Sequence, residues 1–258
     1  MRLVVKVGTS TLAHPTGRLN IRHVESLCKV LSDLKNSGIE VILVSSGAIG
    51  MGVGKLNLKS RPEDMATKQA AAAVGQCELM YTYDKLFAEY NHTVAQILLT
   101  GYDVRNEESY DNFCNTMFRL IDLGVLPVIN ENDTVSTEEI SIGDNDTLSA
   151  IVATSVKADL LVLLSDIDGL YTADPHKFSD AQLIDTVTVI DDDIIKLAGG
   201  AGTSQGTGGM ITKLSAAQMC TQNGCDMIIA NGENPEILYE IDECKKVGTR
   251  FIAMGVNN

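Results

Sequence analysis

Hydrophobic positions along the chain follow two alternating periods. Short β-branched runs occupy Leu3–Val7, Val41–Ser45, Val94–Leu99, Val125–Ile129, Leu160–Leu164 and Met227–Ala230. Most are apolar at consecutive positions, which predicts strands covered on both faces, as in a parallel sheet. Between them the spacing becomes helical. Val24, Leu27, Val30, Leu31 and Leu34 recur at helical intervals within Ile21–Lys35, and Asn36 to Gly38 supplies the stop. Helices are also predicted over Pro62–Tyr90, which opens on a helix-start proline, over Asn145–Lys157 and over Met210–Asn223. Strands and helices in alternation predict an α/β fold: a three-layer αβα sandwich with a mostly parallel central sheet and right-handed crossovers.

Ligands of open α/β sheets sit beyond the carboxyl ends of the strands. The segments that follow the strands are therefore where chemistry is expected. The first strand runs into Lys6-Val7-Gly8-Thr9-Ser10. A lysine beside a glycine turn can bring an ammonium to a phosphate, although the same pair is commonly a strand end with a solvated charge. The second strand runs into Ser45-Ser46-Gly47-Ala48-Ile49-Gly50. Small residues entering a helix present N–H groups to a carboxylate or phosphate. They serve equally well as a tight, glycine-packed turn.

After Val125–Ile129 come Asn130-Glu131-Asn132-Asp133-Thr134-Val135 and then Gly143-Asp144-Asn145-Asp146, with six acidic residues and no Lys or Arg from Glu131 to Asp146. Such a run is ordinarily a solvated loop. Asp144 is placed to cap the following helix, but capping does not explain all six. Acidic groups at a strand end suit an ammonium group of a substrate, nearby lysines or a Mg2+-nucleotide. Ser165–Pro175 carries Asp-Gly and Asp-Pro turn signals, and its DxDG lacks the remaining spacing of a calcium loop. Gly199–Gly209 holds six glycines in eleven residues and precedes a helix bearing Lys213. It reads as a flexible surface loop or as one that approaches phosphate. Neither G-x-x-x-x-G-K-[ST] nor G-x-G-x-x-G is present, which disfavours Walker-type and Rossmann readings.

A net charge of -14 disfavours nucleic acid and anionic membranes as partners. No apolar run approaches the ~20 residues of a membrane-spanning helix, and Met1-Arg2 leads directly into a short strand without a secretory segment. A cytoplasmic location is expected. The six cysteines form no CxxC pair, so neither a zinc site nor a redox motif is signalled, and free thiols are expected.

Taken in order, several segments resemble the amino-acid kinase family: KVGTS at Lys6–Ser10, VSSGAIG at Val44–Gly50, KQAAAAVGQ at Lys68–Gln76, VINENDTV at Val128–Val135, GDNDTLSA at Gly143–Ala150, LLSDIDGLYTADP at Leu163–Pro175 and GTGGMITK at Gly206–Lys213. The resemblance covers essentially the whole chain, and the combination is closest to the members that act on glutamate. Ser165 departs modestly, standing where the family often has Thr.

The resemblance implies a single kinase domain over residues 1–258, with a glutamate-binding N-terminal part, an ATP-binding C-terminal part and no appended PUA domain. It implies ATP-dependent phosphorylation of the L-glutamate side-chain carboxylate to L-glutamyl 5-phosphate, the first step of proline biosynthesis, with ATP and Mg2+. L-proline is the implied feedback inhibitor and a homo-oligomer, dimer or larger, the implied assembly. Lys6 and Lys213 would flank the transferring phosphoryl group and Asp146 would organise them. Ser46, Gly47, Asp133 and Asn145 would bind glutamate. Lys6, Ser165, Asp166, Thr207, Gly208, Gly209, Met210, Ile211, Thr212 and Lys213 would line the nucleotide site. A sister kinase with another carboxylate or phosphate acceptor is the alternative, as is a non-catalytic nucleotide or amino-acid sensor. The acceptor carboxylate is ionised at neutral pH, so no general base is required. His14, His23, His92 and His176 lie in none of the glycine turns. The acyl phosphate product would need shielding from water, and Gly199–Gly209 is the expected lid. On Pro62–Tyr90, Ala66, Ala70 and Ala73, extended by Val74, Cys77 and Tyr81, form a small-residue face suited to another chain or to the protein's own sheet.

Overall fold

The computed structural model describes all residues except 15, 17, 138–141, 143, 176, 200–208 and 255–258. These form two compact units, one comprising Val7–Ile142 and the other Met1–Lys6 with Gly143–Asn258. The first strand, β1 (Arg2–Val7), belongs to the latter as far as Lys6.

The Val7–Ile142 unit continues with α1 (Thr9–Leu12), α2 (Ile21–Asn36), β2 (Glu40–Ser45), α3 (Ala48–Lys55), α4 (Met65–Ala88), β3 (Val94–Leu99), α5 (Gly101–Arg105), α6 (Glu107–Asp122) and β4 (Leu126–Glu131). Its strands lie in the order β3-β4-β2 and are parallel. Helix α2 forms where the periodicity predicts it. Asn20 caps it by accepting the His23 N–H at 3.3 Å, and Gly38 ends it at φ 99°. Val24, Leu27, Val30, Leu31 and Leu34 are all buried. Each such side chain contributes about 2 kcal/mol of transfer free energy.

Helix α4 starts later than the sequence suggests. Pro62 lies outside it, and Asp64 is the cap, accepting from Thr67 N at 2.9 Å. The buried small residues of α4 pack against α3. A Cβ at Gly75 would stand 1.7 Å from the Ala48 carbonyl oxygen, and one at Gly52 would stand 1.8 Å from that of Ala71. The two helices touch backbone to backbone, which only glycine allows at these positions. The face made of Ala66, Ala70, Ala73, Cys77 and Tyr81 is exposed within this unit, with Val74 half-buried.

The other unit follows β1 with α7 (Asn145–Ser155), β5 (Leu160–Ser165), β6 (Thr186–Val187), α8 (Asp192–Gly199), α9 (Met210–Gln222), β7 (Asp226–Asn231), α10 (Ile237–Asp242) and β8 (Thr249–Phe251). Its strands lie in the order β1-β5-β7-β8-β6. β5 and β7 pair in parallel, whereas β7 and β8 are antiparallel. Asp226 secures that last pairing, taking Arg250 Nη2 at 2.6 Å and the Ala253 N–H at 2.7 Å. Every residue of β5 is buried, as its unbroken apolar run implies.

Thus the α/β class and the mostly parallel sheet hold. Two differences bear on function. β4 runs on through Asn130 and Glu131, because β3 continues to pair with it there (Leu98 with Asn130, Leu99 with Glu131). Helix α6 was not anticipated, since only Phe113 and Met117 of its face are buried, too thin a stripe to stand out. Its start is nonetheless secured by Asn106, which accepts from Ser109 N at 2.9 Å.

Candidate active site

Within the unit formed by Met1–Lys6 and Gly143–Asn258, three charged side chains from three elements meet. Lys6 comes from the end of β1, Asp146 from the first turn of α7 and Lys213 from the first turn of α9. Lys6 Nζ lies 2.6 Å from Asp146 Oδ1, and Lys213 Nζ lies 2.9 Å from Oδ2. Thr212 Oγ1 is 3.2 Å from the same Oδ2 and 2.7 Å from the Gly209 carbonyl oxygen. Asp146 is 1% exposed and Lys213 7%. Lys213 is buried and Lys6 half-buried, each drawn to its own oxygen of the one carboxylate.

Burial raises the Asp146 carboxyl's proton affinity, but the ammoniums of Lys6 and Lys213 outweigh it and hold the group below the ordinary aspartate value. Among the described residues the cluster sets two ammoniums against one carboxylate, and that excess of positive charge favours an anion beside it.

Helix starts place these groups. Asp144 caps α7 as expected, accepting from Thr147 N at 2.8 Å. Asn145 and Asp146 are thereby fixed in the first turn. Gly209 occupies the cap position of α9. Of the expected nucleotide residues, Met210 is buried, the Ile211 side chain is exposed, and Thr212 and Lys213 join the cluster. Ser165 ends β5 and donates to Asp166 Oδ1 at 3.1 Å. Beside it, Gly232 N donates to the Ser165 carbonyl at 2.7 Å, which joins the ends of β5 and β7. Thr207 and Gly208 lie outside the described residues, as does most of the expected lid, Gly199–Gly209.

A second group forms in the Val7–Ile142 unit. β2 and β4 are parallel neighbours in the register Val44 with Ile129, so their carboxyl ends emerge side by side. Ser46 and Gly47 follow β2. Gly47 adopts φ 99° as the cap of α3, a left-handed conformation that glycine takes without strain. Ser45 Oγ lies 2.9 Å from Tyr83 Oη of α4.

Asp133 sits in the turn after β4. Burial and then the neighbouring Glu131 charge push its carboxyl up to about 6, and Arg61 opposes them only partly. Glu131 did not emerge as a candidate from the sequence. It is buried, and its Oε1 accepts from Ser136 Oγ at 3.0 Å and from Ile142 N at 2.9 Å. Its signal was the acidic run, but the run could not say which of six acids would be buried.

An aspartate between two lysines, one at a strand end and one at a helix start, together with glycine turns at the ends of parallel strands, suits an enzyme that handles phosphoryl groups. The model of the Amino acid kinase family matches residues 1–231, and the chain belongs to that family. Among curated relatives it is 54% identical over 256 residues to "Glutamate 5-kinase" of Clostridium perfringens, covering 98% of this chain and 95% of that protein. It is 52% identical over 254 residues to "Glutamate 5-kinase" of Caldanaerobacter subterraneus, covering 98% and 68%. Solved structures show the same fold at lower identity. Isopentenyl phosphate kinase of T. acidophilum matches at TM-score 0.63 with 21% identity, covering 97% of this chain and all of that one. UMP kinase from Ureaplasma parvum matches at 0.65 with 15% identity, covering 97% and 98%.

Proposed function

We infer that this chain catalyses ATP-dependent phosphorylation of the side-chain carboxylate of L-glutamate, giving L-glutamyl 5-phosphate, the first step of proline biosynthesis. The reading rests on identity above 50% to glutamate 5-kinases over nearly the whole chain. The lysine cluster bridged by Asp146 is the single structural observation that best supports it.

A γ-carboxylate oxygen of glutamate attacks the γ-phosphorus of ATP. The bond to the bridging oxygen breaks, and ADP leaves with the electron pair. The acceptor has an ordinary pKa near 4.3 and needs no base. The barrier is the approach of two anions, so cations that meet charge as it develops lower it. Lys6 and Lys213 are assigned that role. Asp146 holds them at fixed separation and offsets their mutual repulsion without cancelling the net positive charge. Mg2+ brought in with ATP would supply further positive charge at the phosphates. Ser165, Asp166 and the segment Thr207–Lys213 are assigned to the nucleotide.

On the acceptor side, Asp133 is assigned to the α-ammonium, and Ser46, Gly47 and Asn145 to carboxyl groups. The raised proton affinity of Asp133 supports this, since a carboxylate crowded by Glu131 favours a cationic partner. L-proline shares the amino and α-carboxylate groups of glutamate and is the inhibitor expected to compete for the same residues. A cytoplasmic homo-oligomer completes the reading; no helix among the described residues is long and apolar enough to cross a membrane.

ATP turnover with and without L-glutamate, with hydroxylamine trapping the acyl phosphate, tests the assignment. Glutamate-dependent hydroxamate is expected. ADP release without hydroxamate, or turnover only with another acceptor, overturns it.

A further inference from the structure

Helix α4 carries a polar stripe inside its buried face. Gln69, Gln76 and Tyr83 are seven residues apart, so they fall within about 20° of one another per interval around the helix. Each reaches a different point at or beyond a strand end. Gln69 Nε2 donates to the Ser136 carbonyl at 3.2 Å. Gln76 Oε1 accepts from Asn130 Nδ2 at 2.9 Å. Tyr83 Oη meets Ser45 Oγ at 2.9 Å.

The first two contacts bracket the segment Asn130–Ser136, whose middle is Asp133. Asn130 turns its other amide end inward and accepts from Glu131 N at 2.9 Å. Glu131 in turn clasps Ser136 and Ile142. Ser136 N donates to Asn132 O at 3.0 Å, and Asn132 N donates to Leu99 O at 2.7 Å. The turn that carries Asp133 is thus tied at both ends to α4 and once to β3. Asn130, Glu131, Ser136 and Gln76 are buried polar groups, where a missing partner is expensive and an intact network is rigid.

We propose that Gln76 and Gln69 are positioning residues for Asp133, acting through Asn130 and Ser136 with Glu131 as the clasp between them. Neither glutamine need touch substrate. Together they set where the acceptor-binding carboxylate stands relative to the end of β4. This inference rests on the assignment of Asp133 to glutamate.

Steady-state kinetics of Gln76→Met, Asp133→Asn and the double variant test it. Gln76→Met keeps the side-chain volume and loses the acceptor. It is expected to raise KM for glutamate about tenfold, the scale of one buried hydrogen bond, with KM for ATP and kcat within about twofold. In the Asp133→Asn background the same substitution should add less than about twofold, because a residue that acts only through Asp133 has nothing left to position. A full additional effect there, or equal increases in both KM values, overturns the proposal. If Asp133→Asn alone leaves KM for glutamate unchanged, the assignment of Asp133 fails. If Asp133→Asn raises it and Gln76→Met does not, only the positioning role fails. Should Gln76→Met not fold, Gln69→Met at the half-buried end of the stripe is expected to show a rise of about threefold with the same non-additivity. Additivity in that pair overturns the proposal equally.

Discussion

The two charged groups of this protein solve opposite problems. Around Asp146, opposite charges are already matched: one carboxylate faces two ammoniums within 3 Å, and its proton affinity is depressed. Around Asp133, burial and then the charge of Glu131 push the carboxyl up to about 6, and Arg61 opposes them in part. The first group is matched by its own neighbours, whereas the second is only partly offset by Arg61. A paired charge of the first kind fixes geometry, and a crowded one favours a cationic partner.

The largest expected effect lies in the matched cluster. Lys6→Ala and Lys213→Ala should each lower kcat at least ~100-fold, the scale of losing one transition-state charge contact. Because Asp146 is buried between Lys6 and Lys213, Asp146→Asn should cost stability as well, on the order of 3–5 kcal/mol, by leaving two ammoniums facing each other. Denaturant titration beside turnover separates the two losses. Near-normal turnover in either lysine variant would remove that residue from the mechanism.

The crowded group should respond next. Asp133→Asn is expected to raise KM for glutamate more than tenfold while KM for ATP stays within about twofold, on the scale of losing one charged partner. Its effect on stability should have the opposite sign. Folding raises this carboxyl from near 3.8 to about 6. Between those values the folded protein binds more protons than the unfolded chain, so Asp133 lowers stability progressively as pH climbs and costs most above pH 6. The variant should therefore gain about 1–2 kcal/mol at pH 8 and nothing at pH 4, after allowing for partial exposure. Affinity for glutamate should rise with pH through about 6 in the parent protein and stay flat in the variant. Asp146 works the other way. Its depressed value contributes stability that is present above pH 4 and lost only as pH falls further.

Away from both groups, Gly75→Ala should destabilise by roughly 1–3 kcal/mol, since its Cβ would meet the Ala48 carbonyl at 1.7 Å and separate α3 from α4. A thermal melt reads this, and an unchanged Tm would mean that the helices do not pack so closely. Smallest of all is the exposed ion pair between Lys55 and Glu78 at 2.7 Å. Lys55→Gln should leave Tm unchanged, because solvent and salt screen such pairs. A clear drop would make this pair part of the α3–α4 contact.

What the sequence by itself determined was local and periodic. Unbroken apolar runs specify buried strands, so β5 was placed to within one residue and is buried throughout. β3 was placed to the residue, but Gln96 interrupts its run and only Leu99 is buried, because β3 lies at the sheet edge with β4 as its one neighbour. Asp144 as a cap, and Lys6 and Lys213 beside glycine turns, were legible because caps and turns depend on neighbours in the chain. Only the tertiary structure decided burial and pairing among residues far apart in sequence. Lys6 and Lys213 are 207 positions apart, and no local pattern says that one carboxylate holds both. Glu131 was invisible as an individual because its burial follows from β3 extending the ladder past Ile129. Gln69 and Gln76 looked like ordinary helix residues, for their meaning lies in the strand ends they reach. Hydrophobic periodicity records which face of an element turns inward. It carries no information about which polar groups meet there, because that depends on distances set only when the elements have packed.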